Sequence, residues 1–194
     1  MTPTRCPWRA LWLGLILALS WTAPAAAERF DLSRLDEGGI VLMLRHALAP
    51  GTGDPAGFDL DDCSTQRTLN DTGRDQARAI GARLRAAGIE EARVFSSQWC
   101  RCLSTAELLG LGPVTELPAL NSFFGRNRAM RAERLAALAA FFAAQPTDGP
   151  PIILVTHQVT VTAVTGDFVS SGEGRVLKLD GTGTPETVGD VPVR

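Results

Sequence analysis

The chain contains two histidines, His46 and His157, and each follows a short apolar run. Residues 40–44 (Ile-Val-Leu-Met-Leu) precede Arg45 and His46, and residues 151–156 precede His157. Continuous apolar runs of this length are typical of strands buried in a parallel sheet. Ligands bind at the carboxyl ends of strands in open α/β sheets, so both imidazoles would face one crevice if these strands are parallel neighbours.

An imidazole beside a guanidinium has the chemistry needed to attack a phosphoryl group. Neutral imidazole is a nucleophile near neutral pH because its ordinary pKa is about 6.5. Its attack would form a phosphohistidine that water then hydrolyses. Because much charge lies on the equatorial oxygens of the transition state, the site also needs fixed cations. Arg45 can supply one cation and His157, if it is protonated, a second. The alternative is a structural role for both histidines, and the position of Arg45 beside His46 argues against it.

Strands alternate with helices along the rest of the chain, which predicts an α/β sheet with helices on both faces. The predicted strands cover residues 39–45, 92–97, 114–117, 151–156 and 175–179, and the predicted helices cover residues 70–87, 99–109, 133–144 and 159–169. Gly88 and Gly110 follow the first two helices, as is usual at helix C-termini. Residues 47–69 lack periodicity and are predicted to form a long loop, which in a compact domain is usually functional.

Four segments, in this order, resemble the motifs of the histidine phosphatase superfamily, the phosphoglycerate-mutase-like proteins. Arg45-His46-Ala47 is similar to the motif Arg-His-Gly, and residues 155–157 (Val-Thr-His) are similar to Val-x-His-Gly. Residues 69–77 (Leu-Asn-Asp-Thr-Gly-Arg-Asp-Gln-Ala) resemble Leu-Thr-x-x-Gly-x-x-Gln-Ala. Residues 96–106 (Ser-Ser-Gln-Trp-Cys-Arg-Cys-Leu-Ser-Thr-Ala) resemble Ser-x-x-x-Arg-Ala-x-x-Thr-Ala. The resemblance extends over roughly residues 39–166. It implies a three-layer sandwich in which a mostly parallel sheet carries helices on both faces.

The resemblance also implies a role for each matching residue. His46 would accept the phosphoryl group, while Arg45, Arg101 and His157 would bind the phosphate oxygens. Without the resemblance, Arg101 would be predicted to be a solvated helix arginine. Arg67, on the long loop, is a further candidate for substrate contact. No cofactor is implied, and the sequence lacks the ligand spacing of a zinc enzyme, so we expect no metal.

The chain departs from the family's motifs at three places. Ala47 and Gln158 stand where the family usually has glycine. Residues 117–124 contain no carboxylate, although many members carry an acidic proton donor in this region. The Asn and Ser side chains there are poor general acids near neutral pH. Either Asp54 or Asp59 on the long loop donates the proton, or the leaving group departs with little need for protonation.

The first 27 residues have the order of a secretory signal peptide. Two arginines precede the apolar residues 10–21, and the small residues 22–27 (Thr-Ala-Pro-Ala-Ala-Ala) follow them. We expect cleavage after Ala25 or Ala27, which makes the protein periplasmic or secreted. An uncleaved membrane anchor is the alternative, but the apolar run is shorter than the ~20 residues that a spanning helix needs.

Cleavage after residue 27 would leave one domain of 167 residues, 28–194. Loss of the two leader arginines changes the net charge from −2 to −4, which argues against a nucleic-acid partner. Cys63, Cys100 and Cys102 remain. In an oxidising compartment we expect Cys63 to pair with Cys100 or Cys102, because residues two apart on a helix point in different directions.

These observations together predict an exported phosphatase that hydrolyses a small phosphomonoester through a phosphohistidine intermediate. A phosphorylated cell-envelope component is a candidate substrate. The alternative is a phosphoester-binding protein that has the same pocket and little or no turnover, which the absent carboxylate favours. The sequence leaves the oligomeric state open.

Overall fold

Six strands form one mixed sheet in the computed structural model, which describes residues 29–192. In chain order the strands are β1 (Ile40–Arg45), β2 (Arg93–Ser96), β3 (Val114–Glu116), β4 (Ile152–Thr156), β5 (Gly174–Lys178) and β6 (Glu186–Val191). Across the sheet the order is β3-β2-β4-β1-β5-β6. The strands from β3 to β1 are parallel to one another, whereas β5 is antiparallel to both β1 and β6.

Within residues 29–192, four α-helices connect the strands. They are α1 (Asp71–Ala86), α2 (Cys100–Leu109), α3 (Arg131–Ala143) and α4 (Gln158–Thr165). Asn70 caps α1 because its side-chain oxygen accepts a hydrogen bond from the Gly73 N–H at 2.8 Å. Gly110 ends α2 and Gly166 ends α4, and each adopts the left-handed conformation that glycine tolerates best.

The apolar side chains of the central strands alternate between two cores, one on each face of the sheet. Leu42 and Leu44 of β1 pack with side chains of α1 and α2. Val41 and Met43, which point the opposite way, pack with side chains of α3 and α4. This arrangement confirms the predicted three-layer α/β fold with helices on both faces.

Helix α1 approaches its neighbours too closely for side chains at two glycines. A Cβ at Gly73 would lie 2.1 Å from the Leu48 carbonyl oxygen, and one at Gly81 would lie 2.0 Å from the Leu109 carbonyl oxygen. The first contact holds the start of α1 against the loop that follows β1. Gly73 is the glycine of the predicted helix-start motif, and this contact explains why the motif needs a residue without a side chain there.

Two predicted helix boundaries and the predicted number of strands were wrong. Helix α4 ends at Thr165 rather than at residue 169, because Gly166 turns the chain. Helix α3 begins two residues earlier than predicted, at Arg131. The strand predicted at 175–179 is not the last, since β6 follows it at the sheet edge with a largely exposed and polar sequence.

The predicted signal peptide lies outside the described residues. Within residues 29–192, the structure contains no helix that is both long and apolar enough to cross a bilayer.

Candidate active site

The two histidines lie side by side at one edge of the sheet. Strands β1 and β4 are parallel neighbours, with Arg45 opposite Thr156, so the condition for one shared crevice is met. His46 and His157 therefore leave the sheet at the same level, and their ring centroids are 5.6 Å apart. Their residues are only 4% and 3% exposed, so both rings lie in a largely dry environment.

Arg101 contacts both histidines. It lies in the first turn of α2, just beyond the end of β2, and is 3% exposed rather than solvated. Its Nε donates to His46 Nε2 at 3.2 Å, and its Nη2 lies 3.4 Å from His157 Nδ1. The third nitrogen, Nη1, pairs with the Asp54 carboxylate at 3.0 Å. One buried guanidinium thus joins the two rings to the long loop.

The hydrogen bonds of His46 define which of its nitrogens is free to react. Nδ1 lies 2.7 Å from the Ala47 carbonyl oxygen, which can only accept, so Nδ1 carries the hydrogen. Nε2 therefore holds the lone pair, on the side where Arg101 lies. The Ala47 N–H donates to Thr105 Oγ1, which donates to the Arg101 carbonyl, and these bonds fix the loop. Ala47 fits in place of the family's glycine because its φ is negative.

Both histidines are neutral in the unliganded protein near neutral pH. Burial, assisted by the positive charge of Arg101, lowers the pKa of His46 to about 3. Burial and Arg101 likewise hold the pKa of His157 well below its ordinary value. A neutral His46 suits nucleophilic attack. The condition that His157 be protonated is not met in the unliganded site, because its ring is buried next to a cation.

A chain of hydrogen bonds orients His157. Its Nε2 lies 2.9 Å from Ser97 Oγ, which donates to Asn121 Oδ1 at 3.1 Å. Asn121 Oδ1 also accepts from the Gln98 N–H at 2.9 Å. With Ser97 donating to Asn121, the Ser97 oxygen accepts from His157 Nε2, and the lone pair on Nδ1 faces Arg101. Asn121 thus occupies the region where the sequence lacks a carboxylate, and it orients His157.

The five predicted site residues line one cavity of about 140 Å³, namely Arg45, His46, Arg67, Arg101 and His157. Arg45 is half-buried; its Nη1 donates to the Val169 carbonyl, and its buried Nε has no partner among the described residues. Arg67 donates from Nε to the Gly53 carbonyl at 2.6 Å and from Nη1 to the Ala49 carbonyl at 2.5 Å. Arg67 therefore holds the shape of the loop as well as facing the cavity.

The N-terminus of α4 also faces this cavity. Gln158 and Val159, its first residues, line the cavity, and no side chain caps the helix. The Gln158 side chain bonds instead to Thr162 along the helix, so it leaves the backbone accessible. Free N–H groups at a helix N-terminus favour an anion, which explains how Gln158 is compatible with phosphate binding in place of glycine.

Of the two candidate proton donors, only Asp54 lines the cavity. Its Oδ1 accepts from Arg101 Nη1 and from Trp99 Nε1 at 3.2 Å. Asp59 is exposed and accepts a hydrogen bond from the Asp61 N–H, so it lies outside the site. The sequence could name both aspartates but could not distinguish them, because the loop has no regular pattern.

A disulfide joins the long loop to the phosphate-facing helix. Cys63 pairs with Cys100, the first residue of α2, which resolves the two alternatives left by the sequence. Gln66 strengthens the same junction, since its Oε1 accepts from the Cys100 N–H at 3.0 Å. Among the described cysteines, Cys102 is the free thiol; it is buried beneath His157, and burial raises its pKa to about 12.

Comparison with known proteins identifies the family. The sequence profile of the histidine phosphatase superfamily (branch 1) matches residues 41–139, which span half of the chain and include His46 and Arg101. The chain belongs to this superfamily. Membership makes the protein a phosphatase whose substrate is a small phosphorylated molecule. The comparison with curated protein sequences gives no match.

Solved structures of other proteins share the fold. The protein histidine phosphatase SixA, complexed with tungstate, superposes with a TM-score of 0.58 at 18% identity, covering 79% of this chain and 97% of SixA. The product of the open reading frame Rv3214 of Mycobacterium tuberculosis superposes with a TM-score of 0.59 at 17% identity, covering 80% of this chain and 98% of the Rv3214 chain. A mycobacterial glucosyl-3-phosphoglycerate phosphatase, Rv2419c, superposes with a TM-score of 0.56 at 16% identity, covering 80% of this chain and 97% of the Rv2419c chain.

Proposed function

We propose that this phosphatase hydrolyses a phosphomonoester through a covalent phosphohistidine on His46. The observation that carries the proposal is the contact of one buried arginine, Arg101, with the facing nitrogens of two neutral histidines. A phosphoryl group entering the cavity replaces these contacts. Its oxygens then take the hydrogen bonds of Arg101, while the lone pair of His46 Nε2 faces the phosphorus.

The first step is an in-line displacement. His46 Nε2 forms the N–P bond as the bond from phosphorus to the leaving oxygen breaks. Arg45, Arg101 and the N-terminus of α4 face the three equatorial oxygens and stabilise their charge. The substrate dianion also favours proton uptake by His157, which then donates from Nδ1 to a phosphate oxygen.

The second step returns the enzyme to its starting state. Water attacks the phosphorus of phospho-His46, the N–P bond breaks, and inorganic phosphate leaves with His46 neutral again. The bond from His46 Nδ1 to the Ala47 carbonyl keeps the ring in one orientation through both steps.

The proton for the leaving oxygen limits the substrate class. Asp54 is the sole carboxylate that lines the cavity among the described residues, and it is ion-paired with Arg101. Its Oδ1 already accepts hydrogen bonds from Arg101 Nη1 and Trp99 Nε1. We therefore propose that the enzyme acts best on leaving groups that need little protonation, such as aryloxides or the nitrogen of a phosphoramidate.

Turnover of 4-nitrophenyl phosphate by the purified protein tests the proposed function. We expect turnover by the wild type, its loss in His46→Asn, and a loss of about 10²–10³-fold in kcat for Arg101→Ala, as for other transition-state donors. Arg74→Ala, an exposed arginine of α1, is the matched control and should retain the wild-type rate. Unchanged turnover by His46→Asn would overturn the mechanism.

Absence of turnover by the wild type would favour the second candidate, a phosphoester-binding protein. The observation that favours this candidate is the missing carboxylate in residues 117–124, where Asn121 is engaged with Ser97 and Gln98. Measurable binding of phosphate without hydrolysis of any aryl phosphate would establish it.

We further propose that the protein is exported and acts on a phosphorylated cell-envelope component. The order of basic, apolar and small residues in 1–27 supports export. The disulfide between Cys63 and Cys100 supports an oxidising compartment. N-terminal sequencing of the protein from a periplasmic fraction should begin at Ala26 or Glu28. Recovery of the uncleaved chain from the cytoplasm would contradict export.

A further inference from the structure

A second cavity, of about 340 Å³, adjoins the first. The two cavities share three lining residues, Phe124, Gln158 and Val159, so a molecule seated in the first can extend directly into the second. The ring of Phe124 lies at this junction, although its residue is 49% exposed. An exposed aromatic ring between two cavities offers an apolar contact to whatever crosses from one to the other.

The second cavity carries positive charge without compensation. Arg128 and Arg131 line it, and its lining includes no carboxylate. In the part of the chain that the structure describes, neither arginine forms an ion pair, whereas Arg34, Arg78, Arg101 and Arg175 each do. The guanidinium of Arg131 lies over the ring of Phe123, 5.9 Å from its centroid, which limits its freedom. Two unpaired guanidiniums beside a cavity attract an anion.

The arginines of the second cavity are not those that face the scissile phosphate. Arg128 and Arg131 come from the segment between β3 and α3, whereas Arg45 and Arg101 come from the ends of β1 and α2. A phosphate bound between the histidines therefore leaves both outer arginines unused. A substrate with one charged group and a short leaving group would not reach them.

We propose that the second cavity binds the leaving-group part of the substrate and selects substrates with a second anionic group. That group, a carboxylate or a second phosphate, pairs with Arg128 and Arg131, and an apolar spacer crosses Phe124 to join it to the scissile phosphate. This inference rests on the proposed function, which places the scissile phosphate in the first cavity.

Binding of phosphonates tests the proposal without requiring turnover, because the C–P bond is not hydrolysed. Calorimetry compares alkylphosphonates with the matching α,ω-bisphosphonates in the butyl, hexyl and octyl series. A bisphosphonate has two equivalent ends, so it should bind about twofold more tightly than the alkylphosphonate on statistical grounds alone. At the best spacer length we expect the wild type to bind the bisphosphonate about tenfold more tightly again, which corresponds to one charge-assisted contact.

The double variant Arg128→Ala/Arg131→Ala should lose this gain while binding the alkylphosphonate with unchanged affinity. Arg74→Ala, at an exposed arginine that lines neither cavity, should keep the gain. Equal affinities for both ligand types at every spacer length, or a gain that survives in the double variant, would overturn the second site. Failure of the wild type to bind any alkylphosphonate would instead refute the phosphate pocket and, with it, the proposed function.

Discussion

The depressed pKa of His46 predicts a specific dependence of stability on pH. In the folded protein its pKa is about 3, whereas in the unfolded chain it is about 6.5. Below pH 6.5 the unfolded chain therefore binds a proton that the folded chain does not. Protonation then favours unfolding, so the free energy of unfolding falls as the pH decreases from about 6.5 towards 3.

The size of the effect follows from the two pKa values. Each pH unit between them costs up to about 1.4 kcal/mol, so lowering the pH from 7 to 5 removes about 2 kcal/mol through His46 alone. Replacement of His46 by Asn removes the titrating group and keeps a side-chain donor that can reach the Ala47 carbonyl. The His46→Asn variant should therefore lose about 2 kcal/mol less than the wild type over the same interval.

Urea denaturation at pH 7 and pH 5, in buffers without phosphate, measures the four free energies that this comparison needs. Carboxylates titrate equally in both proteins, so their contribution cancels in the difference between wild type and variant. His157→Asn is the matching variant at the only other histidine of the sequence. It should also lose less unfolding free energy than the wild type between pH 7 and pH 5. An identical pH dependence in wild type and His46→Asn would refute the claim that burial keeps His46 neutral.

Three further predictions concern the loop, the charges and the leaving group. Cys63→Ser should lower the free energy of unfolding by about 4 kcal/mol, since the disulfide spans a sequence separation of 37 residues; an unchanged urea midpoint would contradict this. EDTA should leave turnover unchanged and vanadate should inhibit it, because arginines and a helix N-terminus stabilise the phosphoryl charge; a loss in EDTA that zinc or magnesium restores would indicate another mechanism. Aryl phosphates or phosphoramidates should exceed alkyl phosphates in kcat/KM by about 10²–10⁴-fold, the usual contribution of a general acid. If alkyl and aryl rates are instead similar, with chemistry rate-limiting and Asp54→Asn selectively slow on the alkyl substrate, then Asp54 does donate the proton.

The centre of the fold was predictable because its strands are buried on both faces. Strands β1 and β4 are continuous apolar runs, which indicate buried strands and place His46 and His157 at their ends. Strand β6 lies at the edge of the sheet and is largely exposed and polar, so it lacks the apolar pattern by which a buried strand is recognised.

The residues of the site were predictable by type, but their pairing was not. The choice between Cys100 and Cys102 depends on the rotational phase of α2, which turns the first towards the loop and the second beneath His157. The ion pair of Asp54 with Arg101 depends on the path of a loop without periodicity. The neutral state of His157 depends on burial and on the approach of Arg101, and neither can be derived from sequence spacing.

The most direct test of the account is to trap the covalent intermediate and locate it. Wild-type protein mixed with a fast aryl phosphate and quenched in base within the first turnover should carry one phosphoryl group. The adduct should be stable in base, labile in acid, and located on His46 by fragmentation of the peptide that contains it. A phosphoryl group found on any other residue, or turnover in single-cycle experiments without a phosphorylated protein, would contradict His46 as the nucleophile.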